Sequence, residues 1–205
     1  MIRLIVFDLG NLLFRVDHSE AWEETRKHTT LDEDNLTRRF YGSGEMIENL
    51  IGELDDDDFF EQLQRSLEIQ LEPNRLKSIW TGIFSPIEDR LATVFELRDH
   101  YQLGVISNIS RFHSEHLERR FPVMQAFSKK TYSWACGYMK PRPEPFQAML
   151  SESGLKPEEC LFVDDQERHA EAARKLGWRA EQVALSDDLR STLDSTLNPS
   201  CNVDR

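Results

Sequence analysis

The sequence predicts an α/β fold: three layers, with a doubly covered parallel sheet and a small all-helical segment inserted after the first strand. Three observations carry this. Short apolar runs rich in branched residues, LIVF at 4–7, QLGVISN at 102–108 and ECLFVDD at 159–165, read as interior strands. Beyond Pro86 such runs alternate with segments of helical period, the pattern of strands joined by crossover helices. Between His18 and Ile83 the helical period stands alone and no convincing strand interrupts it.

Taken in order, the chain opens on MIRLIVFDLGNLLF, a strand that runs into Asp8 and is broken by Gly10 and Asn11. AWEETRKHT, LDEDNLTRRFYG, GEMIENLIGEL, DDDDFFEQLQRSLEI and PNRLKSIWTGIF then each form an amphipathic helix or part of one. The run Asp55 to Asp58 invites a metal site. It reads better as the acidic first turn of a helix, because Phe59, Phe60 and Leu63 follow at core spacing. After Pro86 come a helix (IEDRLATVFELRDH), a strand (QLGVISN), a helix (SRFHSEHLERRF) and a short strand or loop (KKTYSWACG). A helix closed by Gly154, the strand ECLFVDD, a helix closed by Gly177 and the strand WRAEQVAL complete the pattern. The polar tail after Ser186 is expected to form one weak helix and then fray. This places residues 1–17 and 84–205 in one core and residues 18–83 in a helical insert, a lid over it.

Composition narrows the function. The chain has 205 residues, 39% of them hydrophobic, enough for one α/β core and a small insert. A net charge of -12 argues against nucleic acid as a partner, since phosphate backbones call for a basic footprint. It leaves small phosphorylated substrates open, because a bound cation inverts the local field. No apolar run reaches the length of a membrane span, and the N-terminal one is too short for a signal peptide. Cys136, Cys160 and Cys201 are odd in number and widely spaced, which suggests free thiols in a reducing compartment and hence a cytoplasmic protein. A monomer or homodimer is expected.

Three strands end in polar groups: Asp8; Ser107 and Asn108; Asp164 and Asp165. Ligands collect beyond the carboxyl ends of strands in open α/β sheets. If the three strands are neighbours, three carboxylates and a hydroxyl share one pocket. Carboxylates that close repel one another and gain protons unless a positive charge intervenes. Mg²⁺ suits such a site, taking a couple of carboxylates together with water and substrate phosphate. Lys140, in the proline-stiffened loop MKPRPEP, is the nearby cation. Singly, each group has an ordinary role: a turn aspartate, a helix-capping serine, a surface lysine. Their order and periodicity together make the case.

In these motifs the chain resembles the haloacid dehalogenase (HAD) superfamily over nearly its whole length: FDLGNLL, ISN, the lysine of MKP, and FVDDQERHAEAARKLG. The resemblance implies a Rossmann-like core with a C1-type helical cap. DLGN, SNISRFH and MKPRPEPF look closest to a branch of sugar-phosphate phosphatases that includes bacterial α-glucose-1-phosphate phosphatase, with the N-terminal phosphatase-like domain of soluble epoxide hydrolase as a neighbour. It implies Asp8 as the nucleophile that becomes an aspartyl phosphate. Ser107 would bind the phosphoryl group with a donor from Asn108, and Lys140 would pair with nucleophile and phosphoryl oxygens. Mg²⁺ would sit on Asp8, the carbonyl of Gly10 and Asp165, helped by Asp164. The substrate would be a small phosphorylated metabolite, a sugar phosphate.

The chain departs from the family pattern at Gly10, where a phosphatase usually carries a second aspartate that protonates the leaving oxygen. General acid–base help is worth roughly 10²–10⁴-fold. Either the protein binds ligand with weak or no catalysis, or another group supplies the proton, or the leaving group is acidic enough to need less help, as an anomeric sugar oxygen is. His18, Glu20, His28 and His113 are the candidate donors, with no spacing to choose among them. His169, where the motif often has Asn, reads as a structural histidine on the first turn of a helix. A 2-haloacid dehalogenase is the alternative enzyme, opposed by the Asp164–Asp165 pair and by Gly10; a phosphomutase is opposed by Gly10. Arg15 and Asp17 lie at the hinge of the insert, and Glu45 and Glu48 on one of its helices.

Overall fold

A computed structural model describes residues 1–42 and 44–197. Strand β1 (Leu4–Phe7) is followed by a short strand β2 (Phe14–Val16), then helices α1 (Ser19–Arg26), α2 (Glu33–Gly42), α3 (Glu45–Leu50), α4 (Asp56–Ser66) and α5 (Pro73–Thr81). Strand β3 (Phe84–Pro86) leads to α6 (Glu88–Leu97), β4 (Gln102–Ser107), α7 (Arg111–Arg120), β5 (Lys129–Tyr132) and α8 (Ser133–Cys136). Helix α9 (Glu144–Ser153), β6 (Cys160–Asp164), α10 (Glu167–Lys175), β7 (Arg179–Gln182) and α11 (Leu189–Leu197) complete the described chain.

The main sheet has five strands in the order β5-β4-β1-β6-β7, every pairing parallel. The reversal of strand order on either side of β1 makes its carboxyl end a topological switch point. Period-two alternation divides each central strand between two cores. Ile5, Phe7, Leu103, Val105, Leu161 and Val163 face the side covered by α6, α7 and α11. Leu4, Val6, Ile106, Cys160 and Phe162 face the side covered by α9 and α10, against Phe146, Met149, Ala170 and Ala173. Both faces are therefore apolar, which is why these strands read as continuous rather than alternating runs.

Helices α1 to α5 have a third core of their own, built on Leu36, Phe40, Phe59, Phe60, Leu63, Leu76 and Trp80, with Phe112 of α7 reaching into it. Asp55 caps α4 by accepting from the Asp58 backbone N–H, so the acidic run serves the helix terminus. The insert touches the core closely at Gly52: a Cβ there would lie 2.1 Å from the Trp134 carbonyl oxygen, and its φ of +77° suits glycine. Gly154 and Gly177 also adopt positive φ where α9 and α10 end.

Two features differ from the sequence expectation. β2 and β3 form an antiparallel ribbon at the base of the insert, with Arg15 opposite Ser85. Three-residue strands are too short to show a period, so neither was expected. KKTYSWACG, expected as one strand or loop, divides into β5 and the single turn α8, because Gly137 in the left-handed region stops the chain. The weak helix in the tail is α11; the expected fraying beyond it, and Cys201, lie outside the described residues. Cys136 and Cys160 are free thiols. No helix among the described residues is long and apolar enough to cross a membrane.

Candidate active site

Register delivers the site. Phe7 pairs with Val105 on one side and Val163 on the other, so Asp8 sits level with the ends of β4 and β6. Asp8 keeps to the ladder by donating its N–H to the Val163 carbonyl at 2.9 Å. The chain then turns sharply: Leu13 and Phe14 both donate to the Leu9 carbonyl, and Asn11, at φ +53°, accepts from the Val16 N–H through its side chain. Asparagine tolerates that conformation, which accounts for the Gly-Asn punctuation of the sequence.

Lys140 binds the strand ends together. Its Nζ lies 2.8 Å from Asp8 Oδ1 and 2.6 Å from Asp164 Oδ2, with 1% of its side chain exposed. Asn108 fixes its backbone, accepting from the Lys140 N–H at 2.8 Å and donating to the Lys140 carbonyl at 3.0 Å. The Asn108 side chain is thus engaged with the main chain of the Lys140 loop. Asp164 is fully buried and saturated: Oδ1 accepts from the Gln166 N–H, Oδ2 accepts from Lys140, and His169 Nδ1 lies 3.0 and 3.1 Å from the two oxygens. His169 is itself buried and orients the carboxylate.

The charges are arranged unequally. Burial raises the Asp8 carboxyl, Lys140 lowers it, and the net direction is up. Asp164 is also penalised by burial, but the Lys140 ammonium and the His169 contact hold it below the usual carboxylate range. Burial disfavours the Lys140 ammonium, yet the charges of Asp8 and Asp164 outweigh this and raise it. Asp165 is pushed up to about 6, by burial and then by repulsion from Asp8 and Asp164. Three carboxylates stand against one ammonium.

Oxygen atoms of Asp8, Asp164 and Asp165 lie within 4.8 Å of one another. The Asp165 Oδ1 atom is buried and has no hydrogen-bond partner among the described residues. An orphaned carboxylate oxygen beside two further carboxylates is the donor chemistry of a hard divalent cation. The residues present therefore fit such an ion, with Asp8 and Asp165 offering the freer oxygens.

Next to this cluster a cavity of about 260 Å³ separates the core from the helical insert. Gly10, Ser107 and Asn108 lie on its core side; Phe40, Met46, Phe60 and Trp80 lie on the insert side. Ser107 is buried at the end of β4. Of the four candidate proton donors, His18 and His113 line the cavity. Both ring nitrogens of His113 are engaged, Nδ1 with Ser110 Oγ at 2.9 Å and Nε2 with the Trp80 carbonyl at 2.8 Å. Glu20 is exposed and His28 lies against Glu24, neither on the cavity. Arg15 and Asp17 are exposed at the β2–β3 ribbon, Asp17 accepting from the Ser19 N–H and donating its own N–H to Ile83. Glu45 and Glu48 are not on the cavity wall; their helix contributes Met46, Asn49 and Leu50 instead.

Sequence reasoning did not single out Arg90. Its side chain is buried and donates to four carbonyls: Leu12 at 3.0 Å, Ala184 at 2.7 Å, Asp187 at 2.9 Å and, more weakly, Asn11 at 3.4 Å. It braces the turn after Asp8 against the segment before α11. An arginine on an amphipathic helix carries no signal of this in the sequence.

A parallel α/β sheet with an acidic cluster and a buried lysine at its switch point defines a class of hydrolases. Residues 2–177 match the haloacid dehalogenase-like hydrolases, and the chain belongs to that family. It is 29% identical over 205 residues to the D-ribitol-5-phosphate phosphatase of Bacteroides thetaiotaomicron, covering 97% of this chain and 100% of that protein. It is 27% identical over 196 residues to a phosphatase of Mycobacterium tuberculosis, covering 92% and 90% of the two chains. The fold matches a crystal structure of a HAD family enzyme from Bacteroides thetaiotaomicron in complex with magnesium and inorganic phosphate, with a TM-score of 0.84 at 22% identity over 94% of this chain and 99% of the other. It also matches L-2-haloacid dehalogenase from Xanthobacter autotrophicus, with a TM-score of 0.67 at 19% identity over 97% and 84%.

Proposed function

We propose that this hydrolase is a Mg²⁺-dependent phosphatase acting on a small phosphorylated metabolite through an aspartyl phosphate on Asp8. The observation that carries the reading is the orphaned Asp165 oxygen beside Asp8 and Asp164, an arrangement suited to a cation that a phosphate dianion also needs. A dehalogenase, by contrast, displaces halide without a metal and so gives a cluster of three carboxylates no cation to hold. The relatives named as phosphatases support the same class.

The roles follow the geometry. Asp8 supplies a carboxylate oxygen to phosphorus. Lys140, 2.8 Å from that carboxylate, opposes the effect of its burial and places positive charge beside the incoming phosphoryl oxygens. The buried Ser107 hydroxyl donates to the phosphoryl group, with the Asn108 backbone N–H beside it. Asp164, held by Lys140 and His169, acts by orienting the lysine. Asp8, Asp165 and the Gly10 carbonyl would hold Mg²⁺. When bound, the ion neutralises phosphate charge that would otherwise repel the carboxylate nucleophile. Residues 18–83 act as a cap over the core, closing the cavity on the leaving group and excluding water.

Phosphate release from a panel of phosphomonoesters, with and without chelator, tests the proposal. Release that needs Mg²⁺ and disappears in Asp8→Asn is expected. Metal-independent turnover of a 2-haloacid would overturn it.

A further inference from the structure

On the phosphatase reading, the leaving group would lie in the cavity that Gly10, Ser107 and Asn108 border, and the cavity walls bear on what that group is. The insert side presents Phe40, Met46, Leu50, Phe60, Leu63 and Trp80, and no Lys, Arg, Asp or Glu side chain among the described residues lines it. Most of its polar groups are already engaged elsewhere. The Asn49 amide donates to the Leu54 carbonyl and to Asp56. His113 is held by Ser110 and by the Trp80 carbonyl, and the Asn108 amide by the Lys140 main chain. Ser107 lies on the core side, where the phosphatase reading puts the phosphoryl group. The His18 ring leans on Trp80 at 5.9 Å between centroids, and the Tyr41 side chain is largely exposed at the rim.

A polyhydroxylated leaving group would surrender several hydrogen bonds to water and find few replacements on these walls. An apolar body would bury its surface against aromatic and aliphatic side chains at no such loss. Size agrees, since an apolar cavity of about 150 Å³ takes up benzene and this one is larger. Resting on the phosphatase reading above, we infer that the substrate is a phosphomonoester whose leaving group is an apolar alcohol about one substituted ring in size. This departs from the sugar phosphate expected of the sequence. In the step itself an Asp8 oxygen bonds to phosphorus as the bond from phosphorus to the leaving oxygen breaks. That oxygen keeps the electron pair and takes a proton from solvent water, becoming the free alcohol. A water molecule then attacks phosphorus and gives up a proton to solvent, and the aspartyl oxygen leaves with its pair as carboxylate.

The test compares kcat/KM for benzyl phosphate, D-ribitol 5-phosphate and α-D-glucose 1-phosphate at one Mg²⁺ concentration. Benzyl and ribitol phosphates both release a primary alcohol, so their ratio reads the pocket rather than leaving-group acidity. A preference for benzyl phosphate of about tenfold or more is expected. Met46→Gln, which sets an amide into the wall, is expected to reduce that ratio mainly through KM. Equal or better turnover of the polyol or sugar phosphate would overturn the inference while leaving the phosphatase intact. So would an unchanged ratio in Met46→Gln. No release from any of the three by folded, Mg²⁺-supplemented protein would instead overturn the phosphatase reading, and this inference with it.

Discussion

The Lys140 ammonium and the Asp8 carboxylate meet at 2.8 Å with 1% and 10% of their side chains exposed. The same ammonium touches Asp164 at 2.6 Å. One cation thus satisfies two buried carboxylates at the ends of adjacent strands, and at the proposed nucleophile it opposes the rise that burial imposes on the carboxyl.

Removing that cation strands both acids. Lys140→Met should cost roughly 3–5 kcal/mol of stability, the range for breaking a buried ion pair by deleting one partner. Activity should fall by about 10²–10³-fold or more, as when a charge-stabilising donor is lost. Urea unfolding and kcat measured on the same preparation check both. A variant of unchanged stability would mean the contact carries no energy.

His113 gives a pH signature separate from the acidic cluster. Burial lowers it from 6.5 to about 4, against the raising effect of its bond to the Trp80 carbonyl, while His18 and His116 add slight repulsion. The folded protein therefore holds this ring neutral where the unfolded chain protonates it. The resulting stability is whole above pH 6.5 and lost as pH falls toward 4, by roughly 3 kcal/mol. Unfolding of the parent and of His113→Gln from pH 4 to 7 should show a slope in the parent that flattens in the variant. Parallel curves would refute the assignment.

Arg90 predicts a defect at a distance. Arg90→Met leaves the Leu12, Ala184 and Asp187 carbonyls without their charged donor. The expected cost is about 3 kcal/mol, since several buried acceptors lose a partner at once. Arg90→Lys should recover only part of it, because an ammonium cannot span the same fork. Midpoints from denaturant titrations of the two variants decide it; equal midpoints would contradict the bracing role.

How much of this the sequence carried depends on the range of the forces involved. LIVF, LGVIS and CLFVD announced strands because both faces of each are buried, and Gly154 and Gly177 announced helix ends through local geometry. The polar strand ends could be named for the same reason. The β2–β3 ribbon could not, because pairing between Phe14–Val16 and Phe84–Pro86 bridges the whole insert and leaves no local period. The His169–Asp164 contact and the bracing by Arg90 likewise depend on how elements pack. The apolar cavity is the largest such omission: its walls come from helices whose core-facing residues look alike in sequence whether they meet another side chain or an open space.

The most direct test of the central claim is to trap the covalent intermediate. The protein would be supplied with Mg²⁺ and a turned-over phosphomonoester, quenched with borohydride during turnover and digested. Reduction of an aspartyl phosphate leaves homoserine at its site. The account predicts homoserine at position 8, and none there in Asp8→Asn, which should also release no phosphate. Steady phosphate release by Asp8→Asn, or reduction found at another carboxylate, would contradict it.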